Sequence, residues 1–183
     1  MNRFARIFGL ALVVLAFVGC EARTDKTDGG GIILTISDFD GLPIAISASA
    51  SAAAGVVQIG SITVQSVVKN PGQPTSALMT VEIESYEVTF ERQDTGTRVP
   101  PRLKEYVFGT VTAGGTFILL NGPFMRIDQF NNQPIKDLLD FGVDTQTGSA
   151  VIRLKVGLRF FGRTLSGDPV ESAPGFFTLE VFP

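Results

Sequence analysis

The residues best able to do chemistry in this 183-residue chain are aspartates and one thiol. Asp128, Asp137, Asp140 and Asp144 crowd into the irregular stretch 121–147. A calcium site built on Asp137, Asp140 and Asp144 suits that spacing, because hard cations take several carboxylate oxygens. A pair of carboxylates for glycoside hydrolysis is the other chemistry it allows. The plainer reading is a solvated helix face and its ends. Asp38-Phe39-Asp40-Gly41 has two carboxylates two residues apart, a partial calcium-loop spacing, but Leu42 and Pro43 follow where further oxygens are needed. Asp94-Thr95-Gly96 is the tripeptide that paired-aspartate acid-base chemistry uses. A single copy flanked by Arg92-Gln93 and Thr97-Arg98 reads first as a charged turn. Cys20 is the one cysteine, and there is no histidine and no tryptophan. These counts exclude Ser-His-Asp and Cys-His nucleophile systems, an intrachain disulfide and a four-thiolate metal cluster. No cofactor is expected. Phe124, Met125 and Phe130 lie in the same stretch as the aspartates, either as plugs of a core or as an apolar recognition loop.

The elements that must position these residues are strands. Alternation dominates over helical periodicity. In Ala150–Phe161, Ile152, Leu154, Val156, Leu158 and Phe160 fall on one face, and Arg153, Lys155 and Arg159 on the other. In Leu78–Arg92 the apolar parity changes between Met79-Val81-Ile83 and Tyr86-Val88-Phe90, which predicts a β-bulge near Glu84-Ser85. Its polar positions carry Glu82, Glu84, Glu87 and Glu91, so pairing with the basic strand predicts cross-strand ion pairs. Further strands are expected over Ile32–Ile36, Ile62–Lys69, Tyr106–Thr112, Thr116–Leu120 and Phe176–Phe182. Ala113-Gly114-Gly115 reads as a tight hairpin turn. Gln133–Phe141 is the one short helix expected, with Pro134 at its start and Gly142 at its stop. The Ser/Ala run Ile46–Gly55 fits either a strand of small residues or a loop.

Residues 1–20 stand apart. Arg3 and Arg6 precede an uncharged, mostly apolar run from Ile7 to Val18. That run is shorter than the roughly 20 residues a bilayer-spanning helix needs, and the pattern is that of a secretory signal. It ends in Phe17-Val18-Gly19-Cys20, which resembles the lipobox of bacterial lipoproteins, with Phe17 in place of the usual leucine. The resemblance implies that Cys20 becomes the first mature residue and carries lipid on its sulfur and amine. It also implies a cell-envelope location. Glu21, rather than aspartate, follows the cysteine, which in that family leans toward the outer membrane. Removing Arg3 and Arg6 leaves 13 Lys+Arg against 18 Asp+Glu, a net of −5, which disfavours nucleic acid and anionic lipid headgroups as partners. Residues 21–31, EARTDKTDGGG, read as a flexible tether.

Three segments follow: a signal peptide over 1–19, the lipidated cysteine and tether over 20–31, and one domain over 32–183. Seven or eight short strands with turns between them predict an all-β fold, a single antiparallel β-sandwich with one short helix. Ser85–Pro101 resembles the central hairpin of an immunoglobulin-like or fibronectin type III-like domain. Val67-Val68-Lys69-Asn70-Pro71, followed by Ile135–Leu139 and Ala150–Phe160, resembles the late-embryogenesis-abundant, water-stress-type sandwich. Both resemblances imply binding or structural modules and bring no catalytic residue. The expected function is a lipid-anchored, non-enzymatic binding or structural module, its partner an envelope or extracellular protein or polymer. The alternatives are a calcium-dependent or carboxylate-based hydrolase, and a stress-protective or small apolar ligand-binding module.

Overall fold

The computed structural model describes residues 30–183, so Cys20 and the signal lie outside the described residues. The strands are β1 (Ile32–Asp40), β2 (Ala45–Ser47), β3 (Val56–Val68), β4 (Val81–Arg92), β5 (Leu103–Val111), β6 (Thr116–Arg126), β7 (Ile152–Thr164), β8 (Pro169–Glu171) and β9 (Gly175–Phe182). The helices are α1 (Ala48–Ala54), α2 (Ile127–Phe130) and α3 (Ile135–Phe141), with a 3-10 turn at Ala77–Met79. One sheet runs β1-β3-β6. The other runs β2-β9-β7-β4-β5, with β8 pairing the far part of β7. All pairs are antiparallel except β2 with β9.

Alternation dictates which faces meet. Ile152, Leu154, Val156, Leu158 and Phe160 of β7 are fully buried and face Ile32, Leu34, Ile62 and Val64 of the smaller sheet in one core. The two layers form the all-β sandwich expected from the strand pattern. Rings interlock across it: Phe177 of β9 meets Phe39 of β1 and Phe124 of β6 edge to face, with centroids 5.9 and 5.5 Å apart. The Tyr86 hydroxyl donates to the Pro123 carbonyl at 2.6 Å, tying β4 to β6.

The parity change in β4 is a bulge. Its pairing with both β5 and β7 slips between Ile83 and Ser85. On the wet face the glutamates of β4 meet the cations of β7, with Lys155 to Glu91 at 3.3 Å and Arg163 to Glu84 at 3.5 Å. Arg153 and Arg159 turn instead to Glu180 (2.8 Å) and Glu171 (3.4 Å) on the other side of β7.

Three local expectations are corrected. Ala113-Gly114-Gly115 is not a hairpin turn, because β5 and β6 belong to different sheets and the turn carries the chain across the sandwich. Gly114 takes φ +77°, and the Gly115 amide closes the turn on the Thr112 carbonyl at 2.8 Å. The Ser/Ala run is β2 followed by α1: Ser47 caps the helix by accepting from the Ala50 amide, and Gly55 ends it at φ +75°. Among the described residues there are therefore three α-helices rather than one. In α3, Pro134 stands just before the first helical residue and Gly142 closes the helix in the left-handed region.

The two ends of the sandwich differ. Val68, Thr116, Val111 and Thr164 end or begin strands at the end where the chain arrives at Gly30. The three helices and the 93–102 and 142–151 loops form the opposite end. The 13-residue strands β3 and β7 separate the two ends by about 40 Å.

Candidate functional site

The helical end is organised by Arg92. Beyond the bulge, Tyr86, Val88 and Phe90 point inward, and the same parity carries the next alternate residue, Arg92, inside. Its side chain is 3% exposed. A buried cation needs partners, and Arg92 has three. Its Nε and Nη2 donate to the two carboxylate oxygens of Asp94 at 2.6 and 2.9 Å. Nη2 also donates to Asp144 at 2.8 Å, and Nη1 to the Arg98 carbonyl at 3.3 Å. Asp94 accepts further bonds from the Gly96 and Arg153 amides. Asp144, 0% exposed, accepts from the Thr147 hydroxyl at 2.7 Å and the Gln146 amide at 3.2 Å. Burial alone would push both carboxyls up. The Arg92 guanidinium and these donors outweigh it and hold both below the ordinary aspartate range.

A second buried carboxylate stands beside this hub. Asp137 accepts from the Thr145 hydroxyl and from the Gln133 amide side chain, the latter at 3.0 Å, with Arg98 Nη1 at 3.9 Å. The Thr145 hydroxyl is the main cause of its lowered pKa, which burial opposes. Gln146 ties the loops together: its carbonyl oxygen accepts from the Thr97 and Arg98 amides, and its nitrogen donates to the Thr97 hydroxyl.

The calcium candidates do not converge. Asp137 and Asp144 are buried and engaged in separate networks, and Asp140 faces outward, paired with Lys136 at 2.7 Å. Among the described residues no group of three or more acidic or thiol side chains is arranged to hold a metal ion. Asp38 and Asp40 lie on the exposed end of β1, where Asp40 accepts from the Gly41 amide as a turn residue. Asp94 accepts from the Gly96 amide two residues on, closing its own turn, while it neutralises Arg92.

Phe124, Met125 and Phe130 are wholly buried, so they form core and not a recognition loop. The reason is the length of β6, which runs on to Arg126. Its pairing with β3 slips between Val57 and Gln58, and the extra residue opposite that slip is Phe124, so two consecutive side chains turn inward. Phe141, 66% exposed, is the large aromatic this segment shows to solvent.

Above the hub lies an open pocket of about 670 Å³. Arg98, Val99 and Pro101 line one wall, and Asn131, Asn132, Gln133 and Lys136 the other. Cations and amides face the pocket with no carboxylate among them. Such a lining can bind carboxylate or hydroxyl oxygens. Arg92, Arg98 and Gln146 were not singled out from the sequence. The signal for Arg92 was its inward parity in β4.

No protein-family model matches the chain, and no curated protein matches it. Among solved structures, the solution structure of a protein described as late embryogenesis abundant is similar over 97% of this chain and 86% of that one. The identity is 15% and the TM-score 0.41.

Proposed function

We propose that the chain is a lipid-anchored envelope protein whose sandwich is a non-enzymatic binding module. The observation that carries the reading is one of placement. The pocketed, charge-rich helical end lies opposite the end where the chain arrives from residue 29. A lipid on Cys20 then leaves the pocket facing away from the membrane. The aspartates near the pocket support binding over catalysis, because Asp94, Asp137 and Asp144 are committed to internal bonds and held ionised. Arg98, Lys136 and the three amides favour a protein or polymer that carries carboxylates. The outer membrane is the favoured site where the cell has one, on the strength of Glu21.

Fractionation of cells carrying the wild type or Cys20→Ala tests the anchor. The wild type should sediment with membranes, and the variant should be released. A variant that stays in the membrane with wild-type mobility would overturn the reading. Co-sedimentation with an insoluble acidic polysaccharide tests the pocket: Arg98→Glu with Lys136→Glu should lower retention at least several-fold, and unchanged retention would count against it.

A further inference from the structure

We propose that the end of the sandwich nearest Gly30 seats on the lipid bilayer itself, with Leu78 and Leu165 as its apolar contacts. The proposal rests on the anchor reading above and adds an orientation and a contact surface to it.

The chain meets this end closely. A Cβ on Gly30 would lie 3.0 Å from the Thr164 methyl, and one on Gly31 would lie 3.2 Å from the Met79 methyl. Both glycines have positive φ, and the Lys69 amide donates to the Gly31 carbonyl at 3.1 Å. The last step of the tether is therefore fixed against the end of the sandwich. With lipid on Cys20, nine residues, 21–29, separate it from Gly30. A Gly-rich random coil of that length would span on average about 17 Å. The end at Gly30 is held within reach of the membrane surface.

That end is chemically suited to the contact. It is built from the 69–80, 112–115 and 165–168 connections, whose charged residues are Lys69 and Asp168. Asp168 already accepts from the Ser166 hydroxyl at 2.7 Å. Leu78 is 57% exposed and Leu165 48%. The Leu165 amide donates to the Thr80 carbonyl at 2.9 Å, and the Ser166 amide to the Leu78 carbonyl at 3.2 Å. Those two bonds lock the loops side by side and set the leucines on one rim. The loops and helices of the far end hold Asp94, Arg98, Asp128, Lys136, Asp140 and more. Within the described domain, the connections at the Gly30 end carry two charged residues and the loops and helices of the far end carry many more. Membrane binding scales with the apolar area buried at the interface, and a lipid anchor is strengthened by a second contact beside it.

The test uses the full lipidated chain in phosphatidylethanolamine/phosphatidylglycerol vesicles. Leu78→Cys, Leu165→Cys and Phe141→Cys each receive an environment-sensitive fluorophore, and spin-labelled lipids serve as quencher. The parent chain is the control, since its Cys20 takes the fluorophore only when no lipid occupies the sulfur. Strong quenching at 78 and 165 with little at 141 is expected. In a chain that floats with the vesicles, equal quenching at all three positions, or none, would overturn the seating and leave the anchor intact. Labels at 78 and 165 shielded from aqueous iodide but untouched by spin-labelled lipid would assign that end to a second copy or a protein partner, and would overturn it too. A parent chain that takes the fluorophore and fails to float would remove the anchor, and the seating with it.

Discussion

Arg92→Ala should be among the most damaging single substitutions in the described domain. The guanidinium is 3% exposed, and its partner Asp144 is 0% exposed. Removing it leaves one fully buried carboxylate, and a second that is mostly covered, without a counter-charge. Breaking a buried pair from one side costs about 3–5 kcal/mol. An exposed pair such as Lys136–Asp140 contributes well under about 1 kcal/mol. Against a total stability of about 5–15 kcal/mol, the loss is a large share. In a chain of this size it lowers Tm by roughly 10 °C. Arg92→Lys should recover only part of this, because an ammonium cannot reproduce the fork that grips Asp94 through Nε and Nη2 while also reaching Asp144. The pH dependence carries a second signature. In the wild type the folded-state pKa values of Asp94 and Asp144 are depressed, so their contribution is complete above the ordinary aspartate pKa and is lost as pH falls through it toward the folded values. In Arg92→Ala, burial without the guanidinium raises the pKa of Asp144, so acid relieves the buried charge. The gap between wild type and variant should therefore narrow as pH falls from 7 to about 4. Urea denaturation at several pH values measures it. A gap below about 1 kcal/mol at pH 7, or one that does not change with pH, would refute the view of Arg92 as a buried hub.

Tyr86→Phe removes the hydroxyl that donates to Pro123 across the layers, and should cost about 1–1.5 kcal/mol by denaturant titration with no change in strand content by circular dichroism. Gly162→Ala would place a Cβ 2.2 Å from the Glu82 carbonyl oxygen, backbone that cannot swing away, so the β4–β7 pairing must shift at the bulge. The loss should be at least about 1–3 kcal/mol, and wild-type stability would show that the strands are farther apart there. Asp137→Asn should lower Tm equally with and without calcium, whereas Asp140→Asn should change it little. A calcium-dependent rise in wild-type Tm that Asp137→Asn abolishes would restore a metal role to this segment.

The strands of the larger sheet were legible because their signal is local. Five alternating apolar residues specify β7, and the parity change between Ile83 and Tyr86 located the bulge to the residue pair. The same alternation, carried two residues past Phe90, would have placed Arg92 inside and flagged the hub. Other features depend on partners far along the chain. Ala113-Gly114-Gly115 has the chemistry of a reversal, but turn chemistry does not say whether the next strand rejoins the same sheet. Ala48–Ala54 has no apolar stripe, and its helix is set by Ser47 and Gly55 at its ends. The burial of both Phe124 and Met125 follows from a slip opposite Val57 and Gln58, some 67 residues earlier by the pairing of Gln58 with Pro123 and Val57 with Met125. The pocket was illegible for the same reason, since its walls come from segments more than 30 residues apart, at Arg98 and Asn131.

The parallel pairing of β2 with β9 bears on how the protein is made. β9 is an interior strand, between β2 and β7, although it is the last of the nine in sequence. The Ser47 hydroxyl reaches the Pro183 carbonyl across 136 residues. A polypeptide made amino end first cannot complete this sheet until β9, Gly175–Phe182, has been made. Until then β2 has no neighbour and one long edge of β7 is bare. A chain lacking residues 175–182 would lose the strand that joins β2 to β7, and should be a ready substrate for quality-control proteases.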